Sequence, residues 1–452
     1  MNAPEPAAIA GSQAAGPLTA LESELRRLRP LQVWGRVTAV DSAALTVGGL
    51  GAAARRGDRL RVTPKGRDPL AAEVVALDGP SARAMWFGAG DGVAVGDPVW
   101  LEPEDGPRPG PGWIGRVVDA FGRPLDGRPL ADGAESVALR AAPPPAAERR
   151  PLGARLGTGL AVFDTLLPLA TGQRIGLFAG SGVGKSTLLA MLARGVSADV
   201  VVLGLIGERG REVRDFLDNT LGEEGLARAC VVVATSDQPP LAKRQAAWLA
   251  TAVAERFRNE GRSVLLLLDS LTRFAEAHRE IALAAGEAPS LRAFPPSTAH
   301  AIAQLVERTG PGMAGQGDVT AVYSVLVAGS DMEEPVADIA RGSLDGHVVL
   351  ERAIAERGRF PAVDIRRSVS RSLPGCADDE ENALIAQARR RVSLYEDVEP
   401  MVRTGLYQPG ADPEADAAVA CFPALDAFAS GRTESVAESF DQLKQALESP
   451  TR

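Results

Sequence analysis

Between residues 178 and 192 the chain reads FAGSGVGKSTLLAML. An apolar run precedes this stretch and a helical pattern follows it, so a glycine-rich turn joins a strand to a helix. Gly180, Gly182 and Gly184 leave room for backbone N–H groups to approach phosphate oxygens at the positive end of that helix. Lys185 is spaced to reach the β- and γ-phosphates of a nucleotide, and Ser186 to place a hydroxyl on Mg²⁺. Ser181, Val183 and Thr187 complete the cradle. The general pattern opens with glycine where this chain has Ala179, so the match fails at one position. A glycine-rich turn without a ligand is the competing reading; Gly-Lys-Ser in a strand-to-helix context argues against it.

Two carboxylates extend the constellation. SVLLLLDS (263–270) is an apolar strand ending in Asp269, a group suited to hold Mg²⁺ through water opposite Ser186. VVVLGLIG (200–207) runs straight into Glu208 and Arg209. A carboxylate at the carboxyl end of a strand in the same sheet can orient or deprotonate water in line with a γ-phosphate. Arg209 beside it is placed to hold γ-phosphate oxygens. From these residues alone, a solvated exit loop remains the alternative for the charges after Ile206.

The bulk composition narrows what surrounds the site. A chain of 452 residues exceeds one ordinary core and suggests two or three domains. The balance of 45% apolar and 24% charged residues is that of a globular protein. Net charge −9, with neither a basic stripe nor an aromatic platform, argues against a nucleic-acid partner. Cys230, Cys376 and Cys421 are far apart, and His278, His300 and His347 are equally scattered, so neither a zinc site nor a histidine triad is supported. The longest aliphatic run, VLLLL at 264–268, is far short of a bilayer span. No basic region followed by an apolar stretch opens the chain, so a cytoplasmic location is expected.

The elements that must position these residues fall into an α/β arrangement. Residues 1–30 read as a disordered leader, Ala/Pro/Gly-rich to residue 16, then a short helix with Leu18, Leu21, Leu25 and Leu28 on one face. Such a helix must pack on its own domain or on a partner. Residues 31–103 carry short strands (VWGRVTAV, ALTV, DRLRV, AEVVAL, DPVWL) whose spacing suggests a small β-barrel or sandwich, with the barrel expected. Residues 104–374 alternate apolar runs with helical segments, the signature of a parallel sheet covered on both faces. Residues 375–452 lose the strands, and Leu384, Ile385, Ala388, Val392 and Tyr395 recur at helical spacing, predicting a C-terminal helical domain.

Several stretches together carry a resemblance: FAGSGVGKS, GERGREV, LLLLDSLTRFA, DMEEPVADIARGSLDGHVVL, AERGRFPAVDI, SVSR and the upstream IGRVVDAFGRPLDG. They resemble the flagellar and type III secretion export ATPases, a family similar in turn to the catalytic subunits of rotary ATP synthases. The resemblance covers roughly residues 20–440 and implies a central RecA-like domain with ATP and Mg²⁺ as cofactors. It implies that Glu208 polarises the attacking water, that Phe360 stacks on adenine where the family often has Tyr, and that Arg371 reaches into a neighbouring subunit's site. It implies a homohexamer at the export gate, peripheral to the inner membrane, acting on chaperones and export substrates. A dimeric stator-like regulator is implied at the N-terminal helix and a coiled-coil stalk protein at the C-terminal domain. The segment GEAPSLRAFPPSTAH (286–300) departs from the family's usual wording, which leaves substrate or stalk contacts there open. The flagellar branch is expected over the injectisome branch. The other readings are a rotary ATP synthase subunit, a non-catalytic nucleotide-binding ring subunit, and a ring helicase. Glu208 and Arg371 in one chain favour a homomeric catalytic ring.

Overall fold

Short strands with one apolar face are stable when they close on themselves or pair on both edges. The N-terminal strands close. The structure is a computed structural model that describes residues 32–103, 106–327 and 332–449, so the expected leader and partner-binding helix lie outside the described residues. Strands β1 (Trp34–Val40), β2 (Ala44–Gly48), β3 (Arg59–Val62), β4 (Leu70–Asp78), β5 (Ser81–Trp86) and β6 (Pro98–Leu101) form a barrel in the order β1-β2-β5-β4-β3-β6. Val37, Leu45, Val47, Leu60, Val62, Val74 and Val99 are buried inside it. The sequence reading had no counterpart for β5, whose alternation is carried by Ala82 and Ala84, too weakly apolar to signal a strand.

The rest of the chain forms a second compact unit. Its strands are β7 (Arg116–Val118), β8 (Arg155–Leu156), β9 (Leu169–Ala170), β10 (Arg174–Ala179), β11 (Val200–Glu208), β12 (Ala229–Thr235), β13 (Ser263–Asp269), β14 (Gly310–Pro311), β15 (Asp318–Leu326), β16 (Gly346–Leu350) and β17 (Val363–Ser370). The main sheet runs β17-β16-β10-β15-β13-β11-β12-β7, with β14 paired to β15, while β8 and β9 pair separately. From β16 across to β7 the pairing along this path is parallel; β17 and β14 are antiparallel.

Parallel strands need cover on both faces, and β11 shows how the sequence supplies it. Val201, Leu203 and Leu205 face one core with helix α1 (Lys185–Gly195). Val200, Val202 and Ile206 face the other, with α2 (Pro240–Asn259), α3 (Leu271–Ala284), α4 (Ser297–Glu307) and α5 (Pro335–Ser343). Successive side chains of one strand serve opposite layers, so an unbroken apolar run is what the position demands.

The C-terminal helices α6 (Asp379–Arg403), α7 (Pro413–Phe428) and α8 (Val436–Glu448) join the first core through Ile385, Val392, Leu425, Phe428, Phe440 and Leu443. A buried polar knot fixes them. The carboxylate of Asp164 accepts from Thr158 N (2.7 Å), Thr158 Oγ1 (2.8 Å), Thr433 Oγ1 (3.3 Å) and Ser439 Oγ (3.2 Å). Satisfied on four sides, it can stay buried without an ion partner.

Candidate active site

Strand β10 is flanked by β15 and β16, whose Leu326 and Leu350 both stand opposite Ala179. Beyond Ala179 the chain turns through residues 180–184 and starts α1 at Lys185. Gly184 makes this turn at φ 87°, and a Cβ there would lie 3.1 Å from the Phe360 ring. Backbone conformation and close approach both call for glycine. The unpaired N–H groups of the first turn of α1 therefore open towards the loop.

Lys185 turns its ammonium onto two carboxylates. Nζ donates to Asp269 Oδ1 and, at 3.3 Å, to Glu208 Oε1. The three groups come from α1 and from the carboxyl ends of β13 and β11. Because Leu205 pairs with Asp269, Glu208 projects three residues further out along the adjacent strand. The buried hydroxyl of Ser324, from β15, donates to Asp269 Oδ1. The Asp269 side chain is 5% exposed and that of Glu208 23%. Burial raises the Glu208 carboxyl above its ordinary value; Lys185 pulls it down and Asp269 pushes it up again. A carboxylate raised in this way is a stronger proton acceptor than a solvated glutamate. Beside it opens a cavity of about 420 Å³, lined by Ser186, Glu208, Arg211, Phe216, Thr220 and Asp269 among others. That is room for a phosphoryl group and water.

The remaining candidates are distributed unevenly. Phe360 is 46% exposed with its ring against Gly184, beside the loop. Arg209 is not gathered in: its side chain is 80% exposed and pairs with Glu212 at 3.4 Å, while Arg211 lines the cavity instead. Ser181 and Thr187 are exposed at the loop, and Val183 is buried beneath it. Arg371 follows β17, whose Ser370 pairs with Gly346 at the start of β16. It therefore stands at the amino edge of the parallel strands, opposite the edge where Lys185 lies, and its Nη1 donates to the Leu344 carbonyl at 3.0 Å. A strand's length, ~17 Å, separates the two edges, more than an arginine can span.

Residues 159–370 match the model of the "ATP synthase alpha/beta family, nucleotide-binding domain", and residues 377–449 that of the "T3SS EscN ATPase C-terminal domain". A flagellum-specific ATP synthase of Caulobacter vibrioides is 46% identical over 442 residues, spanning 96% of this chain and 100% of the relative. The chain belongs to the flagellar and type III secretion export ATPases. Another relative, the SPI-2 type 3 secretion system ATPase of Salmonella typhimurium, is 47% identical over 79% of this chain and 82% of its own length. Among solved structures, the assembled ATPase EscN of enteropathogenic E. coli is similar at TM-score 0.84 and 36% identity, covering 91% of this chain and all of that one. EscN in complex with its central stalk EscO is similar at TM-score 0.82 over the same share of each chain, also at 36% identity.

As an export ATPase the chain hydrolyses ATP, and whether a divalent cation would fit the site can be read from the donor set. Ser186 and Asp269 line the same cavity with oxygen donors, which suits a hard cation. Among the described residues no cluster of three or more His, Cys, Asp or Glu forms a metal cage. Sequence reasoning missed Ser324, the hydroxyl on Asp269. A serine interrupting the apolar run AVYSVLV was its only signal, and its meaning depends on β15 lying beside β13.

Proposed function

We propose that this export ATPase works as a Mg²⁺-dependent homohexamer of the flagellar export apparatus, releasing chaperones and promoting export of flagellar substrates. The observation that carries the catalytic reading is the convergence of Lys185, Glu208 and Asp269 behind the glycine-rich loop. In this reading Lys185 leaves its carboxylates for the β- and γ-phosphates when ATP enters. Glu208, released from the ammonium, takes a hydrogen bond from the attacking water and orients it in line with the γ-phosphate. Ser186 and Asp269 would hold Mg²⁺, which supplies charge neutralisation at the phosphates when bound. Phe360 offers a face for adenine. Arg371, remote from its own loop, acts in the site of the next subunit, where a charge of this kind contributes on the order of 10³–10⁵ in rate.

The end-to-end match with the Caulobacter relative supports the flagellar branch. The injectisome branch is the second reading, favoured by the SPI-2 relative at nearly the same identity over a shorter span. The complex of EscN with its central stalk EscO supports a stalk partner, which in this proposal is a coiled-coil protein at the C-terminal helices. A stator-like dimer at the N-terminal helix, docking to the inner-membrane export gate, and cytoplasmic residence complete the proposal.

The test is ATP turnover against protein concentration for the wild type, Glu208→Gln and Arg371→Ala. Specific activity that rises with concentration and vanishes in both variants supports the ring. Concentration-independent activity surviving Glu208→Gln overturns the site. Gene deletion in the source bacterium separates the branches: loss of secreted hook and filament protein supports the flagellar one, loss of effectors alone the other.

A further inference from the structure

The connector between β16 and β17 touches the phosphate loop at two points. Phe360 packs on Gly184 at the loop's end, and Arg352, two residues beyond β16, donates from Nη2 to the Ser181 carbonyl at 3.1 Å near its start. We propose that Arg352 is a positioning residue that sets the nucleotide affinity of the loop by holding the Ser181 carbonyl away from the anion. The inference rests on the ATP-site reading of that loop.

A phosphate cradle works only while its N–H groups face inward, and a backbone carbonyl turned into it meets phosphate oxygens with like partial charge. Carbonyls of such a loop must therefore point outward, where each needs a donor. Ser181 is an exposed loop residue, and a neutral partner or water would hold its carbonyl weakly. A guanidinium makes a shorter and stronger bond than a neutral donor. It also adds a positive charge close to where the phosphates bind.

Arg352 is itself held in place. Its backbone N–H donates to Glu351 Oε1 at 2.9 Å, and Glu351 Oε2 accepts from Arg367 on β17 at 2.9 Å. The register of Leu350 with Ala179 brings β16 and β10 to the same height, so the two residues past each strand end meet. The arginine touches the loop and not the reacting atoms. Its effect should fall on binding and leave the chemical step intact.

The experiment uses the full chain, with N-methylanthraniloyl-ADP as the probe, and steady-state ATP hydrolysis on the same preparations. Arg352→Ala should weaken probe binding about tenfold and raise KM for ATP by a similar factor. Its kcat at saturating ATP should stay within about twofold of the wild type. Arg352→Lys, which keeps the charge and one donor, should recover most of the affinity; an unchanged melting temperature of the nucleotide-free protein shows that the variants are folded. If the alanine variant unfolds, Arg352→Gln, which keeps a neutral donor and removes the charge, decides: weakened probe binding supports the proposal and unaltered binding overturns it. Unaltered probe binding in Arg352→Ala, or a fall in kcat at constant KM, overturns the proposal. Wild type that binds the probe, Lys185→Ala that does not, and Arg352→Ala that binds normally would sink this inference and spare the nucleotide site. Failure of the wild type to bind would sink both.

Discussion

Lys185→Met tests the electrostatics of the nucleotide-free site. In the wild type one ammonium is shared between two carboxylates. The Lys185 and Asp269 side chains are 11% and 5% exposed, so the cost of breaking a buried pair applies, about 3–5 kcal/mol. Glu208, more exposed, adds a smaller share, and it is the share that varies with pH. A unit of about 350 residues has an unfolding entropy near 0.7 kcal/mol/K, so the midpoint should fall by roughly 4–7 °C. The assay is thermal unfolding of the full chain, free of nucleotide and Mg²⁺, from pH 5 to 8. The sign with pH is fixed by Glu208, whose carboxyl is already raised by burial and is held down chiefly by Lys185. Without the ammonium it rises further, and protonation favours the folded variant as pH falls through the raised value. The deficit against wild type should thus be largest near pH 8 and shrink towards pH 5. Lys185→Met/Asp269→Asn, which removes one of the stranded charges, should recover part of the loss. A variant as stable as wild type at pH 8, or a deficit that grows on acidification, refutes the reasoning.

Three further outcomes follow from the same geometry. The acid limb of kcat/KM for ATP should lie above the ordinary glutamate value of 4.5, because Glu208 must be ionised to accept a proton; a limb at or below that value contradicts the burial of its carboxyl. Phe360→Ala should raise KM for ATP about fivefold to twentyfold, while Phe360→Tyr, which keeps the stacking face, should change it less than about twofold in parallel titrations. Asp164→Ala strands the buried donors of Thr158, Thr433 and Ser439, costing about 3 kcal/mol, and faster hydrogen exchange in α8 would register the loosened helix.

How far the sequence reached depended on whether a signal was local. The strands β10, β11, β12, β13 and β15 were legible because a strand buried on both faces has to be continuously apolar. The loop at 180–187 was legible because strand, glycines and lysine are adjacent in the chain. Edge strands gave less. β17 reads VDIRRSVS, where Arg366 and Arg367 are both exposed and break the alternation, and β7 has three residues, too few for a period. What no local pattern could supply was the sheet order. That β16 inserts beside β10 is why Phe360 and Arg352 meet the loop, and that β15 lies beside β13 is why Ser324 meets Asp269. Arg209 shows the converse: next to Glu208 in sequence, it leaves the strand at the start of a helix and points to solvent.

Arg371 and Lys185 stand at opposite edges of one sheet, and this gives the molecule a polarity. Surfaces that differ at the two ends associate head to tail, producing a closed ring or an open row. If each site borrows its arginine from the next chain, an open row always holds one site fewer than it has members. The last member adds a subunit, but closing the circle adds a catalyst. Turnover per chain would then count completed boundaries, and a ring caught opening would announce itself as a fractional loss of rate before any subunit had left.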